Sequence, residues 1–156
     1  MAYAIFLSHS MTPADVPFVK SIADLLSMQG ITCYLAERDV QPGQQLSAKI
    51  QHALRDCDAV YALLSHGGDA SRYVQQEIGF AAGIGKPVVP IVEKGVSITG
   101  FKVDVEWIEF DRKDPQSALL KLAPHAVKQA AAKDKIEAVA LLILGAFIAW
   151  LIFSKS

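Results

Sequence analysis

The chain has 156 residues, with Lys+Arg 15 against Asp+Glu 16 and a net charge of -1, so no overall field draws it to nucleic acid. That length fits one domain with some to spare. Its two cysteines, Cys33 and Cys57, offer no C-x-x-C spacing, and His52, His66 and His125 have no clustered partners, so nothing points to a metal. Hydrophobic residues make up 52% and mean hydropathy is +0.29, high for a soluble domain, with most of the excess in about the last twenty residues.

Residues 3–7 are a short apolar run ended by Ser8-His9-Ser10, which reads as a buried strand and a loop. No charged n-region, apolar h-region or cleavage site precedes it, so a reduced, cytosolic domain is expected. Thr12 or Asp15 can cap the next helix, whose apolar face repeats as Val16, Val19, Ile22, Ala23 and Leu26 up to Gly30. The second strand, 31–35, runs into Glu37-Arg38-Asp39, and two residues later Pro42-Gly43 breaks the backbone. Pro presets a turn and Gly tolerates positive φ, so the strand gives way to a shaped, exposed loop.

Leu46, Ile50, Ala53, Leu54 and Cys57 mark a second helix. The third strand, 59–64, is apolar throughout, as expected where both faces are covered. After a loop at 66–70, Ser71 or Asp69 can cap a helix running through Tyr73, Val74, Glu77, Ile78 and Ala81 to about Ile84. Residues 87–92 form a fourth strand and 93–104 a Gly-punctuated loop. Residues 105–110 alternate as a fifth strand, and a final helix begins near Asp114-Pro115, where Pro is tolerated.

This alternation predicts an α/β fold: a doubly wound, flavodoxin-like five-stranded parallel sheet followed by a C-terminal apolar helix. Ligands in such sheets bind beyond the carboxyl ends of the strands. That gathers residues 8–10, 37–43 and 65–71 on one rim.

Residues 138–153 carry no charge. As a helix they span roughly 24 Å, short of a hydrocarbon core of roughly 30 Å; Ile136, with Glu137 at the interface, adds about 3 Å. Trp150 and Phe153 suit an interfacial belt and Lys155 can snorkel, while Lys128, Lys133 and Lys135 flank the other end. The expectation is a domain over 1–122, a helical stalk over 123–135 and a tail-anchoring transmembrane helix over 136–153, with the domain facing the cytoplasm. The other reading is a buried or oligomerisation helix, although one small domain covers only one face of a helix that is apolar all round.

Four blocks, in order, resemble the Toll/interleukin-1 receptor (TIR) domain family. Ala4-Ile5-Phe6-Leu7-Ser8-His9-Ser10 is similar to the family's first strand, and Arg38-Asp39-x-x-Pro42-Gly43 to its BB loop. Residues 59–65 resemble the apolar central strand ending in Ser. Ser71-Arg72-Tyr73-Val74-Gln75-Gln76-Glu77-Ile78, followed by Lys86-Pro87-Val88-Val89-Pro90-Ile91, resembles the S-x-W-V-x-x-E-[IL] helix and K-x-[VI]-[VI]-P-[IV] strand. The resemblance covers about residues 3–120 and leaves out the tail.

By that resemblance, Glu77 matches the catalytic Glu of members that cleave NAD+. Tyr73 stands where the family usually has Trp and keeps an aromatic face one helical turn away. An ordinary helix Glu is solvated, so its place in the motif is what singles out Glu77. A carboxylate beside the ribose hydroxyls can orient the sugar and stabilise an oxocarbenium-like ribose as nicotinamide leaves. Capture by water gives ADP-ribose, capture by the adenine ring a cyclic product, and a dry pocket favours the second.

Ser8 and Ser10 are candidates for ribose or phosphate oxygens, or cap the loop. His9 is a phosphate or acid/base candidate, or a hydrogen-bonded loop His. Arg38 suits a phosphate by geometry, or pairs with Asp39 or Glu37, or meets a neighbouring subunit. Asp39, Pro42 and Gly43 fall on the loop through which such domains complete one another's pockets. Gly67-Gly68 is too short for a phosphate loop, and no P-loop or G-x-G-x-x-G occurs.

What the resemblance implies is a membrane-anchored NAD+ nucleosidase, hydrolase or ADP-ribosyl cyclase, acting in innate immune or antiphage signalling with NAD+ as substrate and no cofactor. Self-association through TIR domains and a signalling partner protein are the expected partners. The alternative is a non-enzymatic TIR adaptor that scaffolds assemblies at a membrane. The lack of an acidic cluster after the first strand argues against a phosphorelay receiver of the same fold.

Overall fold

A computed structural model describes residues 2–35, 46–67, 71–98 and 105–153, with backbone alone described for 146–153. The elements are β1 (Ala4–Ser8), α1 (Asp15–Met28), β2 (Thr32–Leu35), α2 (Ala48–Asp56), β3 (Ala59–Leu64), α3 (Arg72–Gly83), β4 (Val88–Glu93), β5 (Ile108–Phe110) and α4 (Pro115–Phe153). The five strands form one parallel sheet in the order β2-β1-β3-β4-β5, the expected flavodoxin-like winding. The chain leaves β1 in one direction to β2 and returns to its other side as β3. The carboxyl ends of β1 and β3 therefore flank the point where ligand crevices form in such sheets.

Strand alternation sorts the core into two layers. Ile5, Leu7, Tyr61 and Leu63 pack with Phe18, Val19, Ile22 and Leu26 of α1 and with Ala118, Leu122 and Ala126 of α4. Phe6 and Val60, on the opposite face, meet Ile50 and Leu54 of α2 and Ala81 of α3. Both faces of β3 are covered, and all six of its residues are buried.

The caps explain where two helices start. Thr12 receives the Asp15 N–H on its carbonyl (3.1 Å) and its Oγ1 (3.3 Å), so Thr12 satisfies the start of α1 and the Asp15 carboxylate is left for other partners. Ser47 caps α2, its Oγ accepting from the Ile50 N–H at 3.3 Å. Of the two caps expected for α3, Ser71 holds the N-cap position, and Asp69 lies outside the described residues.

β5 is shorter than the 105–110 expected. Its ladder pairs Ile91 with Ile108, Val92 with Glu109 and Glu93 with Phe110, starting just after Pro90, which has no N–H to offer an edge neighbour. Trp107, on the continuing alternation, is 52% exposed.

α4 is one helix from 115 to 153, with Pro124 inside it. Residues 123–135 lie along the domain: Ala126 is buried in the core, the Tyr61 hydroxyl bonds to His125 Nδ1 at 2.8 Å, and Lys133 Nζ meets Asp58 Oδ1 at 2.9 Å. Asp58 in turn accepts from the Ala4 N–H at 2.8 Å, tying the helix to the start of β1. Past this point Ile136, Val139, Leu141, Leu142, Ile143 and Leu144 are exposed.

Among the described residues no helix is long and apolar enough to cross a membrane, so the transmembrane reading of 136–153 is not supported. Lys133, Asp134, Lys135 and Glu137 bound the apolar run at its start, and the uncharged residues 138–153 rise about 24 Å, short of a hydrocarbon core of about 30 Å.

Candidate active site

Ser8 ends β1 on the face of the sheet that carries α2 and α3. Its Oγ donates to Oε2 of Glu77 at 2.5 Å. Glu77 occupies the buried stripe of α3, between Val74 and Ala81, where an amphipathic helix would ordinarily place an apolar residue. It is 0% exposed. Burying a carboxylate is costly unless hydrogen bonds replace its water, and a hydroxyl donating to an ionised oxygen is among the stronger replacements. Tyr73 is half-buried on the preceding turn of α3.

His9 and Ser10 continue from β1 and are both buried. His9 Nδ1 lies 2.7 Å from the Ser10 carbonyl. A carbonyl only accepts, so Nδ1 carries a proton and donates it. Ser10 Oγ turns the other way, toward α1, and donates to Asp15 Oδ2 at 2.5 Å while accepting from the Thr12 N–H at 3.3 Å.

Asp15 is the hub of a second cluster. The same Oδ2 accepts from Ser65 Oγ, just past the end of β3, at 2.6 Å. Its Oδ1 meets Arg112 Nη2 at 2.8 Å. Arg112 follows β5 and forks onto Glu93 at the end of β4, with Nη2 to Oε2 at 3.0 Å and Nε to Oε1 at 3.2 Å. Its Nη1 donates to the Ala14 carbonyl at 3.0 Å, and its guanidinium lies 5.3 Å from the Phe110 ring centre and 5.7 Å from that of Phe18. The His66 N–H completes Glu93 at 2.9 Å.

Burial is the largest influence on Asp15 and pushes its pKa up. The bonds from Ser10, Ser65 and Arg112, with the Arg112 charge, together outweigh it and hold the carboxyl below its ordinary range. Glu93 is lowered chiefly by its bond to Arg112, against burial. Arg112 is raised, first by Glu93.

The structure thus places Ser8, His9, Ser10 and Glu77 at the carboxyl end of β1, with Tyr73 one turn before Glu77 on α3. Arg38, Asp39, Pro42 and Gly43 lie outside the described residues. Asp15, Glu93 and Arg112 are not among the residues the sequence assigns to the site, and Ser65 stands there only as the start of a rim segment, with no role. Three of them had a legible signal, since Ser65, Glu93 and Arg112 are polar residues at or just beyond the ends of apolar strands. Asp15 was masked by its fitness as a helix cap. Among the described residues no three His, Cys, Asp or Glu side chains group as a metal site requires. A cavity of about 420 Å³ between α1 and α4 touches Arg112, Phe18 and Leu119 but contains neither Glu77 nor Ser8.

The family profile described as TIR domain matches residues 5–123. A probable 2′ cyclic ADP-D-ribose synthase of Brachypodium distachyon is 25% identical over 89 residues, 57% of this chain and 40% of that protein. The chain thus matches well under half the length of that relative. Among solved structures, the TIR domain of a Toll-related receptor from Hydra magnipapillata is similar with a TM-score of 0.59 at 14% identity, over 81% of this chain and 99% of that one. A CMP N-glycosidase from Clostridium botulinum gives 0.58 at 18% identity, over 78% of this chain and 98% of that one. At those identities the two structures speak to the fold.

Proposed function

The chain belongs to the TIR domain family, and on that premise we propose that it cleaves the nicotinamide–ribose bond of NAD+ with Glu77 as the catalytic carboxylate. One observation carries the reading: a wholly buried glutamate on α3, in a stripe that packing alone would fill with an apolar side chain, meets Ser8 where the sheet forms its crevice. The Brachypodium relative, named as a probable 2′ cyclic ADP-D-ribose synthase, supports the substrate class.

In the proposed reaction the bond between ribose C1′ and the pyridinium nitrogen breaks, and its electron pair neutralises the departing nicotinamide. The ribose carries the positive charge as an oxocarbenium. Glu77, exchanging its Ser8 bond for a ribose hydroxyl, orients the sugar and stabilises that charge in a site of low dielectric. Water attacking C1′ and losing a proton gives ADP-ribose; attack by another nucleophile of the same molecule gives a cyclic product. Tyr73 supplies an aromatic face on the same side of α3, and Ser8, His9 and Ser10 line the strand end nearest the sugar and phosphates. Arg38 is assigned to a phosphate, and the loop bearing Asp39, Pro42 and Gly43 to contact between subunits.

Self-association belongs to the same proposal, since gathering copies of the chain raises the effective concentration of one subunit's loop at its neighbour's pocket. The setting that fits is innate immune or antiphage signalling.

The burial of Glu77 and its bond to Ser8 are equally compatible with a purely structural residue, so the second reading is a non-enzymatic adaptor. Incubation of the purified chain with NAD+ at high local density, followed by chromatography, separates the two. Free nicotinamide with ADP-ribose or a cyclic product supports the enzyme. Intact NAD+ beside folded protein supports the adaptor.

A further inference from the structure

We propose that Asp15 is a positioning residue for this site, acting with Ser65 to hold the two walls of the crevice at a fixed spacing. The inference rests on the reading of Glu77 given above. Ser8-His9-Ser10 is pinned from both faces of the sheet: Ser8 is held by Glu77 of α3 on one side, and Ser10 by Asp15 of α1 on the other. A single oxygen, Asp15 Oδ2, accepts both the Ser10 hydroxyl beyond β1 and the Ser65 hydroxyl beyond β3. Those are the two strands between which the winding reverses.

Asp15 cannot swivel under this load, because Arg112 holds its other oxygen and is itself fixed by the fork onto Glu93. The ends of β1, β3 and β4, Arg112 just beyond β5 and the first turn of α1 are therefore joined through Asp15 and Arg112. Buried ion clusters contribute little to stability compared with apolar packing of the same volume. An arrangement that spends five polar side chains at the crevice is accounted for by what it orients. Any change in the spacing of the β1 and β3 ends moves Ser8 against Glu77, and displacements of about 1 Å in such a constellation cost on the order of 100-fold in rate.

The test compares the full chain with Asp15→Asn, Ser65→Ala, Leu122→Ala and Glu77→Gln, each checked for folding by its melting profile. NAD+ turnover is then measured over a range of substrate concentrations. The expected result is a kcat lowered about 10- to 100-fold in Asp15→Asn and less in Ser65→Ala, with KM changed by about threefold at most. Leu122→Ala removes buried packing on α4, outside the Asp15 hydrogen-bond cluster, and lowers stability without lowering kcat, which separates positioning from general loosening. If Asp15→Asn fails to fold, Ser65→Ala decides. Folded Asp15→Asn and Ser65→Ala with kcat within about twofold of the unaltered chain, or a Leu122→Ala kcat as low as theirs, overturns the proposal. Should Asp15→Asn and Ser65→Ala keep their kcat while Glu77→Gln loses turnover, only this inference fails. Should the unaltered chain leave NAD+ intact, the reading beneath it fails as well.

Discussion

Replacing Arg112 with Met keeps an unbranched stem beside Phe18 and Phe110 and removes the guanidinium. Two carboxylates then lose their cation: Asp15, 1% exposed, and Glu93, 8% exposed. Removing one partner of a buried ion pair costs about 3–5 kcal/mol. Asp15 keeps its two serine hydroxyls and Glu93 the His66 N–H, and the Arg112 side chain is 30% exposed, so solvent already shares the load. The lower end of that range, about 3 kcal/mol, is the expected loss. For a domain of this size it corresponds to a Tm lower by about 10 °C.

Urea unfolding followed by circular dichroism measures the loss directly, and its pH dependence tests the cause. Asp15 and Glu93 are held below their ordinary values in the folded chain. Their contribution is therefore present above the unfolded values of about 4 and is lost as pH falls through the lowered folded ones. The gap between Arg112→Met and the unaltered chain should be full at pH 7 and narrow in acid. A gap under about 0.5 kcal/mol at pH 7, the scale of an ordinary surface substitution, would refute the reasoning. So would a gap that does not change with pH.

Three further outcomes are expected. Leu122→Ala, at a residue with no exposure in the core beneath α4, should cost about 3 kcal/mol by urea midpoint; a loss under about 1 kcal/mol would mean that α4 is not docked as described. Ser47→Ala should cost about 1 kcal/mol by removing the α2 cap, and no change in the midpoint would remove the cap from the account. Tyr61→Phe deletes the hydroxyl bonded to His125 and should cost about 1 kcal/mol in the same assay, with hydrogen exchange faster around residue 125 and unchanged around Ser47.

The fold was legible because each strand and helix announces itself by period. The uniformly apolar 59–64 became the central strand, and Val19, Ile22 and Leu26 became the buried face of α1. β5 was overextended because alternation persists through Trp107 while the partner strand offers pairing only from Ile91 onward, and pairing is a tertiary fact. The tail shows the same limit, since hydropathy reveals an apolar run but not what covers it. Docking of residues 123–135 through His125 and Lys133 depends on Tyr61 and Asp58, far away in sequence.

Glu77 was visible only through the motif, since nothing in its local pattern distinguishes a buried carboxylate from a solvated one. Asp15 was hidden for the opposite reason. Its position suits a helix cap so well that the cap reading suffices until Thr12 is seen to do that work. The Asp15–Arg112 pair spans 97 residues and has no local signature at all.

The most direct test of the central claim is nicotinamide release from NAD+ by the full chain at high local density, beside Glu77→Gln at matched folding. The substitution keeps the side chain's size and its bond to Ser8 while removing the charge that would stabilise an oxocarbenium. Release by the unaltered chain, reduced at least about 100-fold in Glu77→Gln, is the predicted result. Equal release by both would take the chemistry away from Glu77, and release by neither would contradict the enzyme.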